Sequence, residues 1–88
     1  MEFEFDQNKS ASNLEKHGIG FIEAQQLWDN ETVELPLQTL SESRFIVVGT
    51  IKQKFWSAII TYRGDSIRII SVRRSRNKEI QDYESEEN

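Results

Sequence analysis

The sequence predicts an α+β fold: a small antiparallel sheet, made of a four-strand meander plus a short N-terminal strand, with two N-terminal helices and one C-terminal helix laid on one side of it. Two shifts of pattern carry this. Phe21, Ala24, Leu27 and Trp28 recur at helical spacing, whereas from Thr32 to Arg73 the chain alternates and is rich in β-branched residues. After Ser75 the helical pattern returns, with Ile80 and Tyr83 on one side. Eighty-eight residues make a single domain, 1–88. A chain of that size buries only about 60–65% of the surface its unfolded form exposes, so its stability is modest.

Each element has its own signal. Phe3 and Phe5 alternate with acidic residues, so residues 2–5 read as a short strand. Asp6 caps a helix from about Gln7, with Lys16 and His17 at its carbonyl end and Gly18 as the left-handed residue that stops it. Gly20 breaks the chain again, and a second amphipathic helix runs to about Trp28 before the Asp29-Asn30 turn. Four strands follow: Thr32–Thr39, which Pro36 marks as an edge or bent strand, Arg44–Ile51, Phe55–Arg63 and Ser66–Arg73. Lys52-Gln53 and Gly64-Asp65 are the tight turns between the last three. Ser75 is placed to cap a helix from Arg76 to Tyr83. The fourth strand holds a conflict. Arg68 shares a face with Ile70 and Val72 if the strand is regular, so either both faces are partly covered or a bulge resets the register near Ile69-Ile70. An arginine among isoleucines is costly unless it pairs with a carboxylate, such as Glu34 or Glu42, or its head reaches water or a ligand such as a phosphate.

Composition removes several function classes. The chain is 36% hydrophobic and 30% charged with nine aromatics, a globular profile. No apolar run approaches the roughly 20 residues of a membrane span. The acidic start does not resemble a signal peptide, so a cytoplasmic location is expected. Without cysteine there are no disulfides, thiolate metal sites or cysteine nucleophiles, and one histidine rules out a multi-histidine metal site. Neither a metal nor another cofactor is expected. The net charge of −4 hides a segregation. Between Arg63 and Lys78 six bases face one acid, Asp65, whereas Glu79 onward carries five acids and no base. Arginine forks suit phosphate. A solvated strand and helix face would look the same.

The residues then suggest a family. The run Phe3-Glu4-Phe5-Asp6, Lys9, Asn13-Leu14-Glu15-Lys16-His17-Gly18 and Phe21-Ile22-Glu23-Ala24 resembles the opening of BrnT-type toxins, F-E-W-D-x-x-K followed by N-x-x-K-H-G-V-x-F-E-E-A. Glu42-Ser43-Arg44 with Gly49 resembles the family's E-x-R strand. Thr61-Tyr62-Arg63 and Ile67 to Ser75 resemble its closing T-x-R and I-R-I-I-S-A-R-x-A. Glu79 and Tyr83 fit its last helix. Phe5 stands where the family usually has Trp, Val72 and Ser75 replace alanines, and Val33 to Ser41 matches no pattern. The resemblance implies a RelE-like fold and the toxin of a type II toxin–antitoxin system, one that cuts RNA and blocks translation. Its partner would be a small DNA-binding antitoxin, through which any oligomer forms.

Metal-independent RNA cleavage uses the substrate's 2′-hydroxyl as nucleophile. The protein must help remove its proton, stabilise the crowded phosphorane and protonate the leaving 5′-oxygen. Lys16, His17, Arg44, Arg68 and Arg73 are the candidate catalytic set. His17 is the one side chain of a type that titrates near neutrality. Arg63, Arg74, Arg76, Lys78 and Tyr62 are candidate RNA-binding residues, Tyr62 or Tyr83 by stacking on a base. Plainer readings stand beside these: helix capping for Lys16 and His17, pairing with Glu42 or Glu34 for Arg44, core closure for Tyr83. Arg73 and Arg74 point to opposite faces, so at most one lines a cleft with Arg68 if the strand is regular. Trp28, Leu35, Leu37 and Phe55 are candidates for apolar partner-binding surface. The competing function is a non-catalytic module whose basic face serves only an acidic or antitoxin partner. A DNA reader or metabolic enzyme ranks lower, for want of a base-reading helix or a phosphate loop.

Overall fold

The computed structural model describes residues 1–38 and 42–87, the side chain of Glu87 apart. Asp6 starts the first helix as expected, its carboxylate accepting from the backbone N–H groups of Asn8 and Lys9. The order is β1 (Glu2–Glu4), α1 (Gln7–His17), α2 (Phe21–Ala24) running into a 3-10 turn (Gln25–Asp29), β2 (Val33–Leu37), β3 (Arg44–Ile51), β4 (Lys54–Arg63), β5 (Ser66–Arg74) and α3 (Asn77–Glu87). Gly18 ends α1 at φ 79°. The turn between β3 and β4 takes positive φ at both Lys52 (50°) and Gln53 (69°), the conformation that matches strand twist in a two-residue hairpin.

The five strands lie in the order β1-β5-β4-β3-β2. The meander is antiparallel, as predicted, but β1 joins its edge in parallel, pairing Phe3 with Ile67 and Glu4 with Arg68. The sheet thus has an inner face, carrying Ile60, Ile67, Ile69 and Val72, onto which α2 and the 3-10 turn bring Phe21, Ala24 and Leu27 to form the core. The 3-10 turn and the residues after it pack tightly on Gly49, where a Cβ would meet Leu27 at 3.1 Å and the Glu31 carbonyl at 3.2 Å. Helix α1 flanks β5 past the end of β1. Buried Asn13 replaces the missing strand there: its amide donates to the Val72 and Ile19 carbonyls, both at 2.8 Å, and its oxygen accepts from the Val72 N–H.

Four expectations change. The second helix is a single α turn that tightens into 3-10 geometry, because Leu27 and Trp28 both turn toward the sheet. Helices do not all lie on one side: α3 crosses the outer face, where Tyr83 packs edge-on against Phe55. It also runs on to Glu87. Ser75 does not cap it, its hydroxyl pairing instead with that of Ser57, while Glu79 reaches back to the N–H of Arg76. The end of the predicted edge strand at Thr39 lies outside the described residues. Of the two readings of the Arg68 conflict, the bulge near Ile69-Ile70 is the one the strand takes. Ile59 opposes Ser71 and Ile60 opposes Ile69, so Ile70 is the extra residue and Val72 returns to the core face.

Candidate functional site

Register alone assembles an arginine row on the outer face. Leu37 pairs with Arg44, Thr61 with Arg68 and Arg68 with Glu4, and Arg44 and Thr61 extend the ladder in which Phe45 opposes Ile60. Because cross-strand partners share a face, the row reads Leu37, Arg44, Thr61, Arg68, Glu4. Strands are about 4.8 Å apart, which sets Arg44 and Arg68 roughly 10 Å apart at the backbone with Thr61 between them. Arg63 comes next along the same face, at the hairpin end of β4. On the other side of the row lies a half-buried apolar row: Leu35, Ile46, Ile59 and the bulged Ile70. Beyond that, Val33, Val48, Ser57 and Arg73 lie at the end of the face where α3 packs.

The arginines differ in how they are held. Arg68 meets Glu4 at 3.4 Å and Arg44 meets Glu42 at 3.3 Å, both longer than the 2.7–2.9 Å of a strong charge-assisted bond. Arg63 reaches the same Glu4 oxygen at 3.8 Å. Arg73 is fixed: it grips Glu79 with both nitrogens at 2.8 and 2.7 Å, and Glu79 also accepts from Ser57 Oγ and the Arg76 N–H. That network holds the Glu79 carboxyl down at about 2, chiefly through Arg73, and raises Arg73 in turn. So Arg68 takes Glu4, and neither Glu34 nor Glu42, as its carboxylate. Arg73 shares the face of Arg68 but is committed to α3.

The remaining candidates lie elsewhere. Arg74 is on the inner face, its guanidinium 5.5 Å over the Trp56 ring and its Nε on the Phe55 carbonyl. Lys78 pairs with Asp82 one turn on, and Arg76 is exposed at the start of α3. Tyr62 is on the inner face against Phe45 and donates to Glu34. Burial and that bond push its hydroxyl up to about 12. Lys16 and His17 are exposed at the end of α1, and their side chains make no hydrogen bond or ion pair with any described residue. Asp6 follows closely on Glu4 and Asn13 sits at Val72, so α1 advances along β5 and carries His17 away from Arg68. The structure therefore unites Arg44, Arg63 and Arg68, and leaves Lys16, His17 and Arg73 outside their row. Of the expected partner surface, Trp28 packs on Phe3 and Phe55 on Tyr83, while Leu35 and Leu37 remain half-buried on the outer face. Among the described residues no group of three or more His, Asp or Glu side chains is placed to hold a metal ion.

Two residues of this face escaped sequence reasoning. Thr61 is buried and donates to the Ser43 carbonyl at 2.7 Å, fixing the start of β3 beside the row. Glu4 was visible only as a motif letter, because its place beside Arg68 depends on a pairing of the chain's two ends.

The family model for BrnT, the ribonuclease toxin of type II toxin–antitoxin systems, matches residues 5–79. The chain belongs to the BrnT family. It is accordingly a ribonuclease toxin, and an antitoxin is its partner. Comparison with curated proteins gives no match. No helix among the described residues of this BrnT chain is long and apolar enough to cross a membrane.

Proposed function

We propose that this BrnT toxin is a metal-independent endoribonuclease that cuts RNA across its outer face and so stops translation in the cytoplasm. The observation that carries the reading is the arginine row beside an open apolar row. Arg44 and Arg68 hold the scissile phosphate, exchanging their long carboxylate contacts for shorter ones to its oxygens, and Arg63 holds a neighbouring phosphate. The Leu35, Ile46, Ile59 and Ile70 row supports ribose and base. Lys16 and His17 touch the strand further along without gripping a phosphate, and Arg74, Arg76, Lys78 and Tyr62 lie outside its path. The antitoxin, a small DNA-binding protein, covers the same face and supplies the oligomeric contacts.

The test is inducible expression in bacteria of the natural chain beside Arg68→Ala and His17→Ala, following growth and total RNA together. Arrest with RNA fragmentation is expected, abolished by Arg68→Ala and only weakened by His17→Ala. Full toxicity of well-expressed Arg68→Ala would show that the cleaving site lies elsewhere. Normal growth and intact RNA with the natural chain at confirmed expression would leave a module that only binds its partner.

A further inference from the structure

We infer that Glu4 is the general base of this nuclease, a role that rests on the ribonuclease reading above. Cleavage needs a proton acceptor within reach of the 2′-hydroxyl while arginines hold the adjacent phosphate. His17, the acceptor the sequence offers, is carried away from the arginines by α1. Glu4 is carried to them. The parallel pairing of β1 with β5 sets it in register with Arg68, on the same face. Its Oε1 lies between two guanidiniums, 3.4 Å from Arg68 and 3.8 Å from Arg63. Its Oε2 has no hydrogen-bond partner among the described residues, and the side chain is 39% exposed, so substrate can reach it. A phosphate seated on Arg68 brings its own ribose alongside this carboxylate. Of the other acids beside outer-face arginines, Glu79 is committed to Arg73, and Glu42 precedes β3 and directs one oxygen to both Nε and Nη2 of Arg44.

The step balances without a co-reactant. Glu4 accepts the proton of the 2′-hydroxyl, the 2′-oxygen bonds to phosphorus, and the bond from phosphorus to the 5′-oxygen breaks. The departing 5′-oxygen takes a proton from water, and Glu4 returns its own to water. The products are a 2′,3′-cyclic phosphate and a 5′-hydroxyl end.

The experiment compares purified natural chain, Glu4→Gln, Glu42→Gln and Arg68→Ala. Cleavage is measured on a single-stranded RNA, affinity on the same strand carrying 2′-O-methyl riboses that cannot react, and folding by thermal melting. Glu4→Gln should lose about 10²-fold or more in cleavage rate. It should bind the unreactive strand as tightly or several-fold more tightly, because a negative charge has left the phosphate site. A Glu4→Gln that cleaves as fast as the natural chain or faster overturns the role, and shows the carboxylate only masks Arg68. Loss of binding and melting temperature together also overturns it, and makes Glu4 a clasp for β1. Loss of cleavage in Glu42→Gln with cleavage kept in Glu4→Gln moves the base to Glu42. Failure of the natural chain to cleave overturns the ribonuclease reading itself, whereas cleavage lost in Arg68→Ala but not in Glu4→Gln leaves that reading standing.

Discussion

At the scale of residues, the arginines of β5 look alike in sequence and do different work. Arg68 is 28% exposed and loosely paired, whereas Arg73 is 19% exposed and doubly bonded to a carboxylate that is itself nearly buried. Partly exposed pairs contribute about 0–1 kcal/mol. Removing one partner of a buried, bidentate pair costs about 3–5 kcal/mol, because the other charge stays behind unpaired. Arg68→Ala should therefore abolish cleavage while shifting the melting temperature by only a few degrees. Arg73→Ala should lower it by on the order of 15 °C, since 1 kcal/mol moves a domain of this size by roughly 4–8 °C. Equal melting temperatures for the two variants would contradict this division. Part of it was legible in the sequence: alternation put Arg73 and Arg74 on opposite faces, and the apolar pattern offered, as one of two readings, the bulge that lets Arg68 and Val72 face apart. The partners were not legible. Glu79 lies six residues from Arg73 but reaches it only because α3 turns back across the outer face. Glu4 lies sixty-four residues from Arg68, and no local pattern encodes a parallel pairing between the ends of a chain.

At the scale of elements, Glu79 is what fastens α3 to the sheet. It satisfies the helix start through the Arg76 N–H, ties to β5 through Arg73 and to β4 through Ser57. A carboxyl held at about 2 when folded, against 4.5 ordinarily, binds its proton more weakly in the native state. Its stabilisation is thus complete above about pH 5 and is lost as pH falls from there to about 2. A difference of that size corresponds to roughly 3 kcal/mol. Melting followed from pH 7 to pH 2 should fall steeply below pH 5 in the natural chain. In Glu79→Gln it should start lower and fall less, by an amount near this contribution; parallel curves would show that other carboxylates dominate. Most elements were readable because caps and turns are local chemistry: Asp6, Gly18 and the Lys52-Gln53 hairpin all sit where they were expected. The second helix was misread as continuous, because apolar spacing over eight residues does not distinguish an α turn from one that tightens into 3-10 geometry.

At the scale of the whole molecule, the segregation of charge along the chain is largely consumed internally. Arg73 pairs with Glu79 and Lys78 with Asp82, while Arg74 lies over Trp56 on the other face. The excess of base from Arg63 to Lys78 therefore overstates the surface that meets RNA. What remains on the outer face is Arg44, Arg63 and Arg68, three phosphate contacts. For single strands the logarithm of affinity falls with the logarithm of salt at about 0.7 per phosphate contacted, so a slope near −2 is expected. Raising salt from 50 to 200 mM should then weaken binding of an unreactive RNA by roughly fifteen-fold. Arg63→Ala, the most exposed of the three at 57%, should reduce the slope by about 0.7 with little change in melting temperature. A slope near −5 would contradict the geometry, since it would require Arg73, Arg74 and Lys78 to leave their intramolecular positions and, together with Arg76, join the interface. The same measurement with Arg74→Ala separates the two cases: an unchanged slope keeps RNA on the outer face, and a reduced one wraps it around the edge of β5.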